Sequence, residues 1–168
     1  MALEITSIKN PRIKFLQSLE KSRDRKESQS FIIEGVREIS LAQQSGYEFI
    51  AIYVCENVYY SDSEYPIDFN ADDILHVTPE VFAHIAYREN SGGIIAIAKM
   101  KSLLLEDIKQ KSQGLYLILE RVEKPGNMGA MLRTADAAGL DGVIICDQST
   151  DFFNPNVVRS SVAIGHWN

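Results

Sequence analysis

The sequence predicts an α/β fold in which short apolar strands alternate with amphipathic helices. Four short runs of apolar and β-branched residues are spread over the first hundred residues, at 31–33, 49–55, 74–77 and 94–98. Apolar residues at helical spacing lie between several of these runs, and glycine or proline marks the junctions. Strands that alternate with helices predict a layered α/β domain that ends near Ala98.

The predicted elements begin with a helix. Ile13, Leu16 and Leu19 recur at helical spacing after Pro11, a favourable first-turn residue. The polar run Lys21–Ser30 that follows is interpreted as a loop.

Two further helices are predicted between the strands of this domain. Val36, Ile39, Leu41 and Ala42 form one apolar face, which should stop at Ser45 and Gly46. Before the next helix, Thr78 is predicted to be the N-cap and Pro79 to occupy the first turn. Its apolar residues are Val81, Phe82, Ile85 and Ala86.

A second domain is predicted after a charged linker. Residues 99–113 interrupt the strand pattern and could hold a short helix. Residues 115–119 predict a buried strand, residues 127–138 a helix and residues 142–146 a second strand. Strand, helix, strand is the right-handed crossover unit of a parallel sheet. The predicted organisation is therefore a domain at 1–98, a linker at 99–113 and a second domain at 114–168.

Composition is that of a folded, globular chain. The hydrophobic fraction is 45% and the charged fraction 24%, far from disordered or collagenous compositions. No apolar run approaches the roughly 18 residues that span a bilayer, and charges interrupt Met1–Leu16, so we expect a cytoplasmic protein. Cys55 and Cys146 lie far apart without metal-ligand spacing, and we expect two buried, reduced thiols and no metal.

Charge is unevenly distributed along the chain. The net charge is −6, yet residues 1–30 carry seven Lys or Arg against four Asp or Glu, which is +3. A basic start on an acidic body is compatible with a polyanion partner. A solvated basic surface with no partner is the alternative.

The candidate chemical site follows the first strand of the second domain. Ligands of open α/β sheets lie beyond the carboxyl ends of the strands, here the loop Glu120–Gly126. Asn127 is interpreted as the N-cap of the next helix, and Arg133 in that helix suits a phosphate. An alternative is that Arg133 pairs with Asp136 at i+3 on a solvated face.

These same residues resemble a known family. Pro125, Asn127, Gly129 and Arg133, followed by a small pair and Gly139, resemble the first motif of SpoU (TrmH-like) methyltransferases of the SPOUT superfamily. A later stretch resembles the family's Asn-Pro…Arg-x-Ser motif through Asn154, Pro155, Arg159 and Ser161. Residues 31–35 and 91–96 are similar to its substrate-binding domain.

The resemblance implies a fold and an activity. It implies a ribosomal-protein-like α/β/α RNA-binding domain joined to the first part of a parallel-sheet, trefoil-knot methyltransferase domain. The reaction would be transfer of a methyl group from S-adenosylmethionine to a ribose 2′-hydroxyl of ribosomal or transfer RNA. Arg133 would contact the ribose and its phosphate, and Asn127 would help to fix that arrangement. Family members also suggest a homodimer through the catalytic domain.

RNA capture is predicted for two basic or polar segments. An acid at a strand end, Glu34, could touch RNA or cap the helix that follows. The RNA-binding candidates are Lys9, Arg12, Lys14, Arg23, Arg25, Lys26, Arg88, Asn90 and Ser91.

Two family motifs do not occur after Asp151, a Gly-x-Glu-x-x-Gly motif and a final Ser-x-Asn motif. Since those segments build the cofactor pocket in the family, we expect most of that pocket to be missing and activity of these 168 residues to be doubtful. A non-catalytic RNA-binding protein or an inactive methyltransferase fragment is therefore the alternative. A nucleotide or small-anion enzyme is disfavoured, because the chain has no phosphate-binding glycine loop and no paired catalytic acids.

Overall fold

The computed structural model describes residues 4–68, 74–87, 91–107, 112–147 and 149–161. These residues form two β-sheets with helices packed against them. The first sheet and its helices comprise β1 (Glu4–Ile5), α1 (Pro11–Ser18), α2 (Ser22–Ser28), β2 (Ser30–Glu34), α3 (Val36–Gln44), β3 (Phe49–Val54), β4 (Ile74–Val77), α4 (Pro79–Ile85) and β5 (Ile94–Lys99). A 3₁₀ turn (Leu105–Asp107) precedes β6 (Tyr116–Glu120), α5 (Pro125–Ala137), β7 (Gly142–Cys146) and α6 (Pro155–Ser161).

The first sheet has five strands in the order β1-β4-β3-β5-β2. Strand β4 is parallel to β1 and β3, whereas β5 is antiparallel to both of its neighbours, β3 and β2. Strands β2, β3 and β4 therefore end at the same edge of the sheet, the edge where β5 begins. That edge collects the loops that follow three strands.

Both faces of this sheet are covered, and the alternation of side chains along β5 shows how. Ile95 and Ile97 pack on one face with residues of α1 and α4, such as Leu16 and Phe82. Ile94, Ala96 and Ala98 pack on the opposite face, where α3 lies. Because successive side chains of a strand point to opposite faces, a continuous apolar run is the pattern expected of a doubly covered strand.

The second sheet pairs β6 with β7 in parallel, Tyr116 opposite Gly142 and Glu120 opposite Cys146. Helix α5 connects the two strands, which confirms the predicted crossover between parallel strands. Residues from this unit complete the core on the α3 face of the large sheet. Phe153 packs on Phe31 of β2, with 4.7 Å between the ring centroids. The two sheets thus share one hydrophobic core.

Several elements agree with the sequence-based prediction. Strands β4 and β7 have the predicted bounds, and β2, β3, β5 and β6 differ by one residue at one or both ends, as strand ends commonly do. The two-residue strand β1 was not predicted. Thr78 caps α4 by accepting a hydrogen bond from Val81 N at 3.4 Å. The linker contains the short helical turn Leu105–Asp107.

The predicted loop at Lys21–Ser30 is wrong, because residues 22–28 form helix α2. No apolar stripe marks this helix in the sequence. Its buried residue is Arg25, so the helix is anchored by polar contacts that periodicity cannot reveal.

Two predictions about single residues are also wrong. Helix α5 begins at Pro125 with Lys124 as the N-cap residue, so Asn127 lies in the first turn and does not cap it. Proline in the first turn is favourable because its missing N–H has no helical partner there. Cys55 is buried as predicted, but Cys146 is exposed because it ends β7 at the open edge of the small sheet.

Among the described residues, no helix combines the length and apolar character that crossing a bilayer requires. The same residues contain no group of three His, Cys, Asp or Glu side chains that could hold a metal ion.

Candidate functional site

The candidate site is built where helices α5 and α6 pack against each other. A Cβ atom at Gly129 would lie 1.8 Å from Ser160 Oγ and 2.8 Å from Val157 O, so only glycine permits this approach. Met128 and Val158 are buried in the shared core. The close contact brings the residues of the Pro-x-Asn-x-Gly…Arg segment beside those of the Asn-Pro…Arg-x-Ser segment.

Helix α5 presents both predicted catalytic side chains to solvent. Asn127 and Arg133 are exposed, and Arg133 lies four residues after Gly129, hence on the same side of the helix one turn further on. Asp136, the alternative partner of Arg133, is half-buried. The Arg133 side chain is therefore accessible to solvent beside a tight contact between two helices.

The start of α6 is held by its own side chains. Asn154 Oδ1 accepts a hydrogen bond from Asn156 N at 2.9 Å, and Pro155 occupies the first turn. At the other end of the described helix, Ser161 is buried and its hydroxyl donates to Val158 O at 3.0 Å. These contacts fix both described ends of α6. Arg159 is the charged side chain of this helix and is largely enclosed.

Arg159 reaches across to the large sheet. Its Nη1 lies 3.6 Å from Oε2 of Glu34, a buried residue at the end of β2. Its guanidinium stacks 3.5 Å above the ring centroid of Tyr87, and its Nη2 donates to Asn156 Oδ1 at 2.5 Å. Glu34 also accepts hydrogen bonds from Tyr87 N at 3.1 and 3.3 Å. Burial of Glu34 in this cluster removes it from any RNA-facing surface.

A second ion pair joins the large-sheet unit to the unit of β6 and β7. Here the arginine belongs to the large-sheet unit and the acid to the other unit. Arg25 Nη2 lies 2.6 Å from Asp151 Oδ2, which also accepts from Arg25 Nε at 3.1 Å and from Ser22 Oγ at 3.0 Å. The remaining nitrogen, Nη1, donates to the carbonyl oxygens of Leu19 and Glu20, both at 2.7 Å. Arg25 is only 1% exposed, so the prediction that it binds RNA is wrong.

The other predicted RNA-binding residues divide by exposure. Ser91 is buried, and its hydroxyl has no hydrogen-bond partner among the described residues. Arg88 and Asn90 lie outside the described residues. The exposed candidates on the first two helices and the turn before them are Lys9, Arg12, Lys14, Arg23 and Lys26.

The carboxyl ends of β6 and β7 form an exposed rim beside α5. Arg121 Nε and Asp147 Oδ2 lie 2.5 Å apart across this rim, and both residues have positive φ angles, 50° and 49°. Thr150 Oγ1 lies within 2.8 Å of the carbonyl oxygens of Val122 and Glu123, which ties the two loops together. The rim is therefore ordered by local bonds but open to solvent.

Sequence reasoning missed Tyr87 and the Arg121–Asp147 pair. Tyr87 stands in a polar, glycine-containing segment with no pattern of its own, and its partner Arg159 is 72 residues away in the chain. No local pattern predicts that contact. The ends of β6 and β7 were predicted to be neighbours, and this is the signal that could have placed Arg121 near Asp147.

Comparison with known proteins agrees with this architecture. Residues 10–96 match the MRM3-like substrate binding domain, and residues 114–167 match the SpoU rRNA Methylase family. An uncharacterized tRNA/rRNA methyltransferase of Synechocystis is 32% identical over 94% of this chain and 57% of its own length. The 23S rRNA (guanosine(2553)-2′-O)-methyltransferase RlmP of Bacillus subtilis is 30% identical over 94% of this chain and 60% of its own length.

Solved structures show the same likeness. The crystal structure of an RNA 2′-O ribose methyltransferase superposes with a TM-score of 0.82 at 36% identity, over 96% of this chain and 62% of that one. An AdoMet-bound rRNA methyltransferase from Sinorhizobium meliloti superposes with a TM-score of 0.83 at 29% identity, over 99% and 63%. The chain thus spans about three fifths of the length of these relatives. From its two matching segments and its fold, the chain belongs to the SpoU rRNA methylase family.

Proposed function

We propose that this chain acts in 2′-O-methylation of ribosomal or transfer RNA, with S-adenosylmethionine as the methyl donor. The observation that carries the proposal is the α5–α6 contact at Gly129 and Ser160. It places exposed Arg133 on one helix next to the helix that bears Arg159. We infer that residues 1–98 capture RNA, that residues 114–168 belong to the catalytic domain, and that residues 99–113 are the linker between them.

Methylation of a ribose hydroxyl requires an oxygen nucleophile held in line with the methyl group, so positioning and deprotonation are the tasks of the protein. Arginine, with a pKa above about 12, is a poor base at neutral pH. We therefore assign Arg133 to clamping the phosphate beside the target ribose and to stabilising the developing oxyanion. Asn127, six residues before it on the same helix, would orient the same sugar.

S-adenosylmethionine supplies the activated methyl group when it is bound. The described residues at the carboxyl ends of β6 and β7, including Arg121, Cys146 and Asp147, are exposed and form an open rim. Such a rim fits one side of a cofactor site and does not enclose a ligand. The roles proposed for this chain are therefore those on the RNA side of the reaction.

RNA capture is assigned to the exposed basic residues of α1, α2 and the turn before α1. Phosphate contacts from flexible lysine and arginine side chains position RNA without reading its sequence. Lys9, Arg12, Lys14, Arg23 and Lys26 lie in one segment of 18 residues and are all exposed. This group carries five positive charges, which agrees with the excess of positive charge in residues 1–30.

We further infer a cytoplasmic location and a homodimer formed through the second unit. Exposed apolar side chains on this unit support an association: Leu115 and Ile118 belong to or adjoin β6 and are exposed. Multi-angle light scattering of the purified chain tests the dimer, since a monomer mass at all concentrations would contradict it.

Calorimetric titration with S-adenosylmethionine, followed by transfer of a radiolabelled methyl group to ribosomal and transfer RNA, tests the main proposal. Labelled RNA is expected, and RNA with a 2′-deoxy nucleotide at the modified position should stay unlabelled. RNA binding without cofactor binding would instead support the second candidate function, a non-catalytic RNA-binding protein or an inactive fragment. The open rim at β6 and β7 is the observation that favours this second candidate.

A further inference from the structure

A cavity of about 740 Å³ lies on the large sheet's side of the molecule, away from the rim of β6 and β7. Its walls come from the loop after β3, one face of α4 and the residues just before β5. The residues that matter for its chemistry are Tyr60, Phe82, Ala86, Tyr87, Ser91 and Gly92. It therefore opens at the edge of the sheet where β2 and β3 end.

Two glycines make this cavity possible. Gly92 and Gly93 both have positive φ angles, 71° and 73°. A Cβ atom at Gly93 would lie 2.4 Å from Tyr59 N, so the loop after β3 can approach only a glycine. A Cβ at Gly92 would lie 2.9 Å from Val36 Cγ2 and 3.5 Å from the ring atom Cε1 of Tyr60. The Tyr60 ring is thus seated beside Gly92, at the wall of the cavity.

Two tyrosine side chains on this wall are largely exposed to solvent. Tyr60 is 60% exposed and Tyr87 67% exposed. Aromatic rings left in solvent beside an apolar floor, here Phe82 and Ala86, are typical of surfaces that bind a ligand. A flat ring offers its face to another flat, apolar ring system.

Tyr87 is held in place by the second structural unit. The Arg159 guanidinium stacks on the Tyr87 ring at 3.5 Å, and the backbone N–H of Tyr87 donates a hydrogen bond to the Glu34 carboxylate. A stacked cation and a buried carboxylate restrict the motion of this wall. The cavity is therefore preorganised and directly adjoins the helix that carries Arg159.

Ser91 adds a polar group to the apolar wall. It is buried, and its hydroxyl has no hydrogen-bond partner among the described residues. A buried hydroxyl without a partner is unfavourable, and a hydrogen-bond acceptor that enters the cavity would satisfy it. A base that enters the cavity carries carbonyl and ring-nitrogen acceptors suited to this group.

We propose that this cavity binds an unpaired base of the RNA strand, stacked on Tyr60 and bounded by Tyr87. The proposal rests on the RNA-binding role given above and deepens it, since single-stranded RNA is read by stacking splayed bases on aromatic side chains. An RNA base is favoured over a free nucleotide because the described lining residues include no cation that could bind a separate phosphate. Tyr87 contacts Arg159 of α6, and α6 packs against α5, the helix that carries Arg133, so the cavity lies one helix away from the proposed ribose site.

The test measures binding of the full chain to fluorescently labelled single-stranded RNA of about twelve nucleotides, within the usual site size. A second strand has the same phosphates but abasic riboses. We expect the abasic strand to bind wild type roughly tenfold more weakly, and Tyr60→Ala to lose about the same factor with intact RNA. Tyr60→Phe should bind within about twofold of wild type, because the phenyl ring keeps the stacking face.

Two controls separate the possible outcomes. Leu105→Ala removes an equally exposed apolar side chain outside the cavity and should leave affinity unchanged. Abasic RNA should bind wild type and Tyr60→Ala equally, because the two losses are the same interaction. Wild-type affinity of Tyr60→Ala for intact RNA would overturn the base site alone. Failure of wild type to bind either strand would overturn the RNA-binding role as well, and tight binding of free uridine or adenosine monophosphate would assign the cavity to nucleotides.

Discussion

Strands β5 and β6 are both continuous apolar runs in the sequence, but they differ in how much of each strand is buried by other elements. Five of the six residues of β5 are buried, because helices lie on both faces of the large sheet. In β6 only Leu119 is buried, and Ile118 is 65% exposed. An apolar run therefore indicates that a strand needs cover on both faces. It does not indicate whether the described residues provide that cover, which depends on elements remote in sequence.

The largest expected effect concerns the joint between the two regions. Replacing Arg25 with alanine leaves Asp151 partly buried without its cation and removes two hydrogen bonds to backbone carbonyls. Breaking a buried pair in this way costs about 3–5 kcal/mol of unfolding free energy, measured by urea denaturation. Arg23→Ala is the matched control, because Arg23 is 88% exposed and faces Glu27 at 4.0 Å. Equal stability of the two variants would show that the joint is not a stabilising contact.

The next prediction compares the strands directly. Ile97→Ala in β5 removes a side chain that is 1% exposed and should lower the unfolding free energy by about 2–4 kcal/mol through lost burial and a cavity. Ile118→Ala in β6 should change it by less than about 0.5 kcal/mol. A large loss in Ile118→Ala at all protein concentrations would mean that this face of β6 is covered within one chain. A loss that depends on concentration would support association through β6.

A third prediction separates function from stability in the less covered region. Arg133→Ala should reduce methyl transfer by about a hundredfold or more, the usual cost of losing a donor to developing charge, with denaturation midpoints unchanged. Arg133→Lys keeps the charge but loses the fork of donors, so we expect only partial recovery. Asp136→Asn should leave transfer intact. Full activity of Arg133→Ala would exclude the phosphate clamp.

The smallest effect is expected in the shared core. Tyr47 is buried and its hydroxyl has no hydrogen-bond partner among the described residues, so Tyr47→Phe should stabilise the protein by about 1 kcal/mol at neutral pH. Burial raises the pKa of Tyr47 to about 12 from 10. The unfolded chain therefore loses this proton first, and wild type should lose stability as pH rises from 10 towards 12. Denaturation at pH 7 and pH 11 checks both claims, since the advantage of Tyr47→Phe should grow with pH.

Local patterns were sufficient to predict most of the fold. The hydrophobic spacing of α3 and α4, the Thr78 cap and the bounds of β4 and β7 depend on neighbouring residues, and all are confirmed. Helix α2 was missed because its anchor, Asp151, lies 126 residues from Arg25. The exposure of Cys146 was missed because it depends on what covers the end of β7.

The candidate site was predicted in its residue types more than in its contacts. Glycine at 129 and arginine at 133 follow from the motif, and the helix contact at Gly129 supplies a physical reason for the first of them. That Glu34 and Tyr87 of the large-sheet unit enclose Arg159 could not be predicted, because no short-range pattern links three segments so far apart. The catalytic role of Arg133 and Asn127 stays a prediction.

Two ion pairs connect the units. Arg25 of the large-sheet unit pairs with Asp151 of the second unit, and Arg159 of the second unit pairs with Glu34 of the large-sheet unit. Each unit therefore keeps an acid whose neutralising partner belongs to the other. During evolution, neither unit can be exchanged for one from a distant relative unless both charges of a pair change together. Recombination at the linker should succeed only between parents that share these four residues, so inheritance of the two units is coupled even though their sheets are separate.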